Sequence, residues 1–119
     1  MDLKSIEFYE FIPKSGDNDK EEDPVTFECT YLTPAEMNKA TKQQAVAGME
    51  KEEVQIVINK DELVRRALVR VKNLTFEGKE ITTQQQFSAI RHPLVNQWFN
   101  ELSNEIIRRA NEEEEVLKN

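Results

Sequence analysis

The chain has 119 residues, 38% of them hydrophobic and 33% charged, with a formal net charge of -7 and a mean hydropathy of -0.70. That length fits one domain with a modest core. The acidic balance disfavours nucleic-acid phosphates, the single cysteine excludes an intrachain disulfide, and no apolar run reaches the roughly 20 residues of a membrane span. The start, Met1-Asp2-Leu3-Lys4-Ser5, lacks a basic segment followed by an apolar one, so no signal peptide is read there. A cytoplasmic protein is expected.

Residues 3–12, LKSIEFYEFI, are rich in β-branched and aromatic types. Ile6, Phe8 and Ile12 share one parity and Tyr9 and Phe11 the other, which predicts a strand with both faces partly covered. Residues 13–24, PKSGDNDKEEDP, hold no large apolar side chain and read as a mobile acidic loop. Its Asp17-Asn18-Asp19 opening invites a calcium reading. The calcium-loop pattern needs Gly at its sixth position, however, and that position is Glu22.

Val25, Phe27, Cys29 and Tyr31 alternate with Thr26, Glu28 and Thr30, the pattern of a half-buried strand. It pairs with the first strand as an antiparallel hairpin whose tip is the acidic loop. Thr33-Pro34-Ala35-Glu36 is a capping box with Pro at the first helical position, and the helix is expected to run to about Gly48. Its weak apolar content, including Met37 and Val46, suits a cover or a partner contact. Residues 54–58, VQIVI, suit a short strand or the lead-in to the next helix, and a strand is the expectation.

Asn59 and Glu62 mark another helix start. Leu63, Val64, Ala67, Leu68 and Val71 then fall at helical spacing along one stripe. Glu77-Gly78 between β-prone residues predicts a tight turn or small hairpin, and Thr83 to Gln86 a further capping box. Pro93 opens the longest helix, about 93–112, on the row Leu94, Trp98, Leu102, Ile106 and Ala110. The acidic tail, 113–119, is expected to fray.

Chemistry-bearing groups are few. One His and one Cys stand in separate predicted elements, too few for a zinc site and without the third group that orients a base. Gly16, Gly48 and Gly78 are scattered, so no phosphate loop forms. No catalytic, cofactor or metal residue is assigned, and the chain is expected not to be an enzyme. Trp98 and Phe99 lie roughly 100° apart on a helix. Either both enter the core, or one meets a partner. Trp98, Phe99, Met37 and Val46 are the partner-binding candidates. The expected architecture is α+β: an N-terminal antiparallel β-hairpin with a long acidic loop, then three to four helices and a small β-turn element packed on one side. One domain spans 1–112.

Three runs together resemble the tail assembly chaperones of long-tailed bacteriophages and prophages. They are Phe27-Glu28-Cys29-Thr30-Tyr31-Leu32-Thr33-Pro34-Ala35-Glu36, residues 61–82 (DELVRRALVRVKNLTFEGKEIT), and the helix after His92-Pro93-Leu94. The resemblance covers most of 25–110. It implies a non-enzymatic protein that binds the tape measure protein, keeps it soluble, helps tail-tube subunits polymerise around it, and leaves before the virion is complete. It carries over no site residues. Homo-oligomerisation is compatible with it. The competing readings are another small phage structural protein, such as a head–tail completion protein or tail terminator, and an acidic inhibitor that mimics DNA.

Overall fold

The computed structural model describes residues 1–5, 7–45 and 54–118. The fold is α+β. Strand β1 (Tyr9–Phe11), a 3-10 segment (Ser15–Lys20), β2 (Thr26–Cys29) and α1 (Pro34–Lys39) come first. Then follow β3 (Thr41–Ala45), β4 (Val54–Ile58), α2 (Lys60–Ala67) and β5 (Leu68–Lys72). The small hairpin β6 (Leu74–Phe76) and β7 (Lys79–Ile81), then α3 (Gln84–Ser88) and α4 (Pro93–Lys118), complete the order. The main sheet has the order β1-β2-β5, and β3-β4 and β6-β7 form separate two-stranded sheets.

Both β1–β2 and β2–β5 are antiparallel, with Phe27 opposite Phe11 on one side and Val71 on the other. The inward faces of these strands meet α2, α3 and α4 in one core. Phe27, Cys29, Leu63, Val64, Val71, Phe87 and Leu102 are its buried centre. Phe27 and Phe87 meet edge to face at 5.0 Å, a favoured aromatic geometry.

The helix starts follow the sequence. Capping boxes stand at Thr33/Glu36 and Thr83/Gln86, and Asn59 accepts from the Glu62 amide. The β6–β7 hairpin turns on Glu77 and Gly78, both at positive φ, as a two-residue hairpin turn requires.

Four expectations are corrected. The first strand is Tyr9–Phe11 rather than 3–12, because β2 offers partners only to those residues. The helix at Pro34 stops at Lys39 instead of running to Gly48. Residues 41–45 instead pair with Val54–Ile58, which is a strand as expected. A β-branched run such as 54–58 needs a partner for its main-chain groups, and that demand outweighs the helix propensity of Lys42, Gln43 and Gln44. The helix from Lys60 ends at Ala67, and Leu68–Lys72 is a strand. Cys29 lies opposite Leu68 and Glu28 opposite Arg70, so Val69 is an extra residue at a β-bulge. The bulge leaves buried Leu68 and Val71 three positions apart, which imitates a helical stripe. Finally, α4 continues to Lys118, past the expected end at about residue 112.

The acidic 13–24 segment is docked, not structureless. Asn18 is 5% exposed. Its side-chain amide donates to the Pro13 carbonyl at 2.8 Å and the Val25 carbonyl at 3.0 Å, and its oxygen accepts from the Val25 amide at 2.8 Å. The Glu101 carboxylate accepts from the Lys14 and Ser15 amides at 2.9 and 3.3 Å. The carboxylates of Asp17, Asp19, Glu21, Glu22 and Asp23 still face solvent.

Candidate functional site: the open face and edge of the main sheet

The helices cover the inner face of the β1-β2-β5 sheet and leave the other face partly open, with Glu10 and Arg70 exposed, Glu28 and Lys72 half-buried and Thr26 buried. Strand parity decides what that face carries. Tyr9 and Phe11 point into the core, so Glu10 points outward, beside Glu28 of β2 and Lys72 of β5. Lys72 Nζ lies 2.9 Å from Glu10 Oε1 and 3.2 Å from Glu28 Oε2, and its hydrogen bonds to Glu10 and then Glu28 raise its pKa. Around this ion cluster stand large apolar side chains in solvent. Phe8 is 53% exposed, Ile12 40%, and Val69 at the bulge 46%. An open depression borders β5 between Val69, Lys72, Glu80 and Thr83.

A second cluster of polar groups joins the sheet to α4, and it is structural. The Arg109 guanidinium sits 4.3 Å from the centre of the Tyr9 ring and donates to Tyr31 Oη at 3.1 Å. The Tyr9 and Tyr31 rings are 4.8 Å apart. Glu105 binds both Arg109, at 3.0 Å, and Arg108. Burial alone would raise the Glu105 pKa, but the hydrogen bonds from Arg108 and Arg109 outweigh it and hold the carboxyl below its usual range. Cys29 lies against Tyr9, and burial pushes its thiol up to about 12. A thiol so raised stays protonated at neutral pH, the opposite of what a nucleophile or metal ligand needs. His92 sits at the entry of α4, where its Nδ1 accepts from the Leu94 amide at 3.1 Å.

The partner-binding candidates part company. Trp98 is 6% exposed in the core and donates its indole N–H to the Ser15 carbonyl at 3.0 Å, so it presents no free surface. Phe99 and Met37 are half-buried and pack on the core. Val46 lies outside the described residues. The open-face residues Phe8, Ile12 and Val69 are not among the partner-binding candidates of the sequence. The signal for the first two was the double parity of residues 8–12, which reads equally well as a strand covered on both sides. Val69 lies off the helical stripe of Leu63 to Val71, and only the bulge in β5 brings it to the sheet surface.

The fold and this site define a class: a small α+β protein with a one-sided helical cover and an open, partly apolar sheet face. No family model, curated protein or solved structure matches the chain. Among the described residues, no helix is long and apolar enough to cross a membrane, and no group of His, Cys, Asp and Glu is placed to hold a metal ion.

Proposed function

We propose that this chain is a protein-binding module without catalytic chemistry of its own, and specifically a tail assembly chaperone of a long-tailed bacteriophage or prophage. The observation that carries the binding role is the open sheet face, where Phe8, Ile12 and Val69 stand exposed around the Glu10–Lys72–Glu28 cluster. Exposed apolar side chains rimmed by charge suit a protein partner. The specific assignment rests on the resemblance over residues 25–110.

The role is physically consistent. A tape measure protein awaiting its tube exposes apolar helical surface and is prone to aggregate. A chaperone covers such surface with a shallow apolar face, and a net charge of -7 keeps the complex dissolved.

The test is co-expression with a tape measure fragment from the same genome. Co-purification, and more soluble fragment than without the chaperone, is the expected result. No capture at micromolar concentration overturns the assignment. Mass spectrometry of purified virions separates it from a head–tail completion or terminator protein, since a chaperone is absent from the finished particle.

A further inference from the structure

We propose that the chain forms a two-fold homodimer by antiparallel pairing of β1 with β1 of a second copy, centred on Glu10. The starting point is which way the main-chain groups of β1 aim. The Val71 amide donates to the Thr82 carbonyl at 2.9 Å, so it points away from β2. Phe27 and Val71 are therefore a non-hydrogen-bonded pair, and the main-chain groups of Phe27 turn to Phe11 on its other side. By the same alternation Tyr9 also bonds inward to β2. Phe8, Glu10 and Ile12 must then aim their N–H and C=O groups at the outer side of β1. That strand is an edge of the sheet, and a row of unsatisfied edge groups is a template for a further strand.

The side chains of this row are self-complementary. A two-fold axis at Glu10 sets Phe8 of each copy opposite Ile12 of the other. These residues, 53% and 40% exposed, would be covered in two identical cross-strand pairs. The axis also brings the two Glu10 side chains together, at a Cα separation of about 5.5 Å. Two bare carboxylates at that spacing repel. Here each Glu10 already has the Lys72 ammonium at 2.9 Å, so the two carboxylates at the centre of the interface are flanked by one ammonium on each side. The repulsion between the two Glu10 side chains is thereby reduced, because each enters the interface already ion-paired within its own copy. The helical layer lies on the other face of the sheet, and Pro13, which has no N–H to offer, ends the row just after Ile12. The product is a continuous six-stranded sheet with two open faces side by side. The inference is independent of which protein the open face takes as partner.

Sedimentation of the full chain across micromolar concentrations tests it, together with two variants at solvent-exposed positions. The wild-type chain is expected to show a reversible monomer–dimer equilibrium. Phe8→Lys removes both apolar pairs and should raise the dimer dissociation constant about tenfold, as should Ile12→Glu. Mixing the two variants should restore dimer, because the mixed pair sets a lysine at position 8 opposite a glutamate at position 12 and keeps one Phe8–Ile12 pair. Unchanged far-UV circular dichroism and thermal midpoint verify that each variant is folded. A wild-type chain that stays monomeric overturns the proposal. So do a dimer that survives Phe8→Lys combined with Ile12→Lys, and folded single variants that do not recover dimer when mixed.

Discussion

The Trp98 indole N–H reaches across from α4 to the Ser15 carbonyl at 3.0 Å, and so ties the largest side chain of the longest helix to the acidic segment. One turn further along α4, Glu101 grips the Lys14 and Ser15 amides. The same helix face that builds the core therefore fixes the path of the chain between β1 and β2. Trp98→Phe removes the pyrrole half of the indole together with its N–H, and is expected to cost about 2–3 kcal/mol from the lost hydrogen bond and the space left in the core. Glu101→Ala removes charge-assisted bonds and should cost about 1–2 kcal/mol. Because both act on the same turn, their effects should be non-additive by at least about 0.5 kcal/mol. Urea denaturation of the single and double variants measures this, and proteolytic nicking within 13–24 should rise in each.

Asn18 is the inner anchor of that segment. Asn18→Ala would strip partners from the Val25 amide and from the Pro13 and Val25 carbonyls. A buried polar group left unpaired costs about 1–3 kcal/mol, so we expect a loss of about 2–3 kcal/mol by urea denaturation. Asn18→Asp should not recover it, since a buried carboxylate accepts from Val25 but cannot donate and would face the Pro13 and Val25 carbonyls.

Stability should fall at both ends of the pH scale, for opposite reasons. Cys29 is raised by burial to about 12, so the folded state keeps a proton that the unfolded chain releases near its ordinary value of about 8.5. Its contribution is full below that value and is lost as pH rises toward 12. Tyr9, raised mainly by burial and then by Cys29, acts in the same direction from a higher starting pH. Glu105 is held low despite its burial by Arg108 and Arg109, so its contribution is present above the ordinary carboxylate range and is lost as pH falls through and below it. Cys29→Ala should flatten the alkaline limb of a plot of urea midpoint against pH, and Glu105→Gln the acid limb. A thiol reagent at pH 8 should label the native protein only as fast as it unfolds.

Two glycines at positive φ should respond differently to alanine. At Gly78, φ +79, an added Cβ meets nothing within 4 Å, so the cost is conformational and about 1 kcal/mol. At Gly16, φ +70, the Cβ would come to 2.9 Å from Leu94 Cδ1. Leu94 must shift, so Gly16→Ala should cost more than Gly78→Ala. Thermal midpoints of the two variants give the order directly.

Local signals in the sequence hold where a few neighbouring residues decide the outcome. Thr33-Pro34-Ala35-Glu36 and Thr83 to Gln86 form their capping boxes. Glu77-Gly78 makes its turn, and the alternation of Val25 to Tyr31 gives a strand with Val25, Phe27 and Cys29 buried. The departures from the sequence pattern share one physical cause. Leu68 and Val71 look helical because a bulge at Val69 restores three-residue spacing between inward side chains. Thr41 to Ala45 look helical because their own residues favour a helix and only pairing with the strand at Val54–Ile58 makes them a strand. The candidate site was legible only in part. Trp98 stands both on the apolar row of α4 and among the partner-binding candidates, and of these two places it takes the core, bonded to Ser15.

What the sequence determined by itself is the α+β class, the helix starts, the turn at Gly78 and the apolar face of α4. Each follows from interactions within a few residues, or from a periodicity that one element carries alone. The tertiary structure decided which strands pair, that the acidic segment is docked through Asn18 and Trp98, and which of the β1 side chains stay in solvent. Those outcomes depend on partners far away in the chain. Glu10 meets Lys72 and Ser15 meets Trp98 only once the chain has folded, and no pattern within residues 8–12 could tell a covered outer face from an open one.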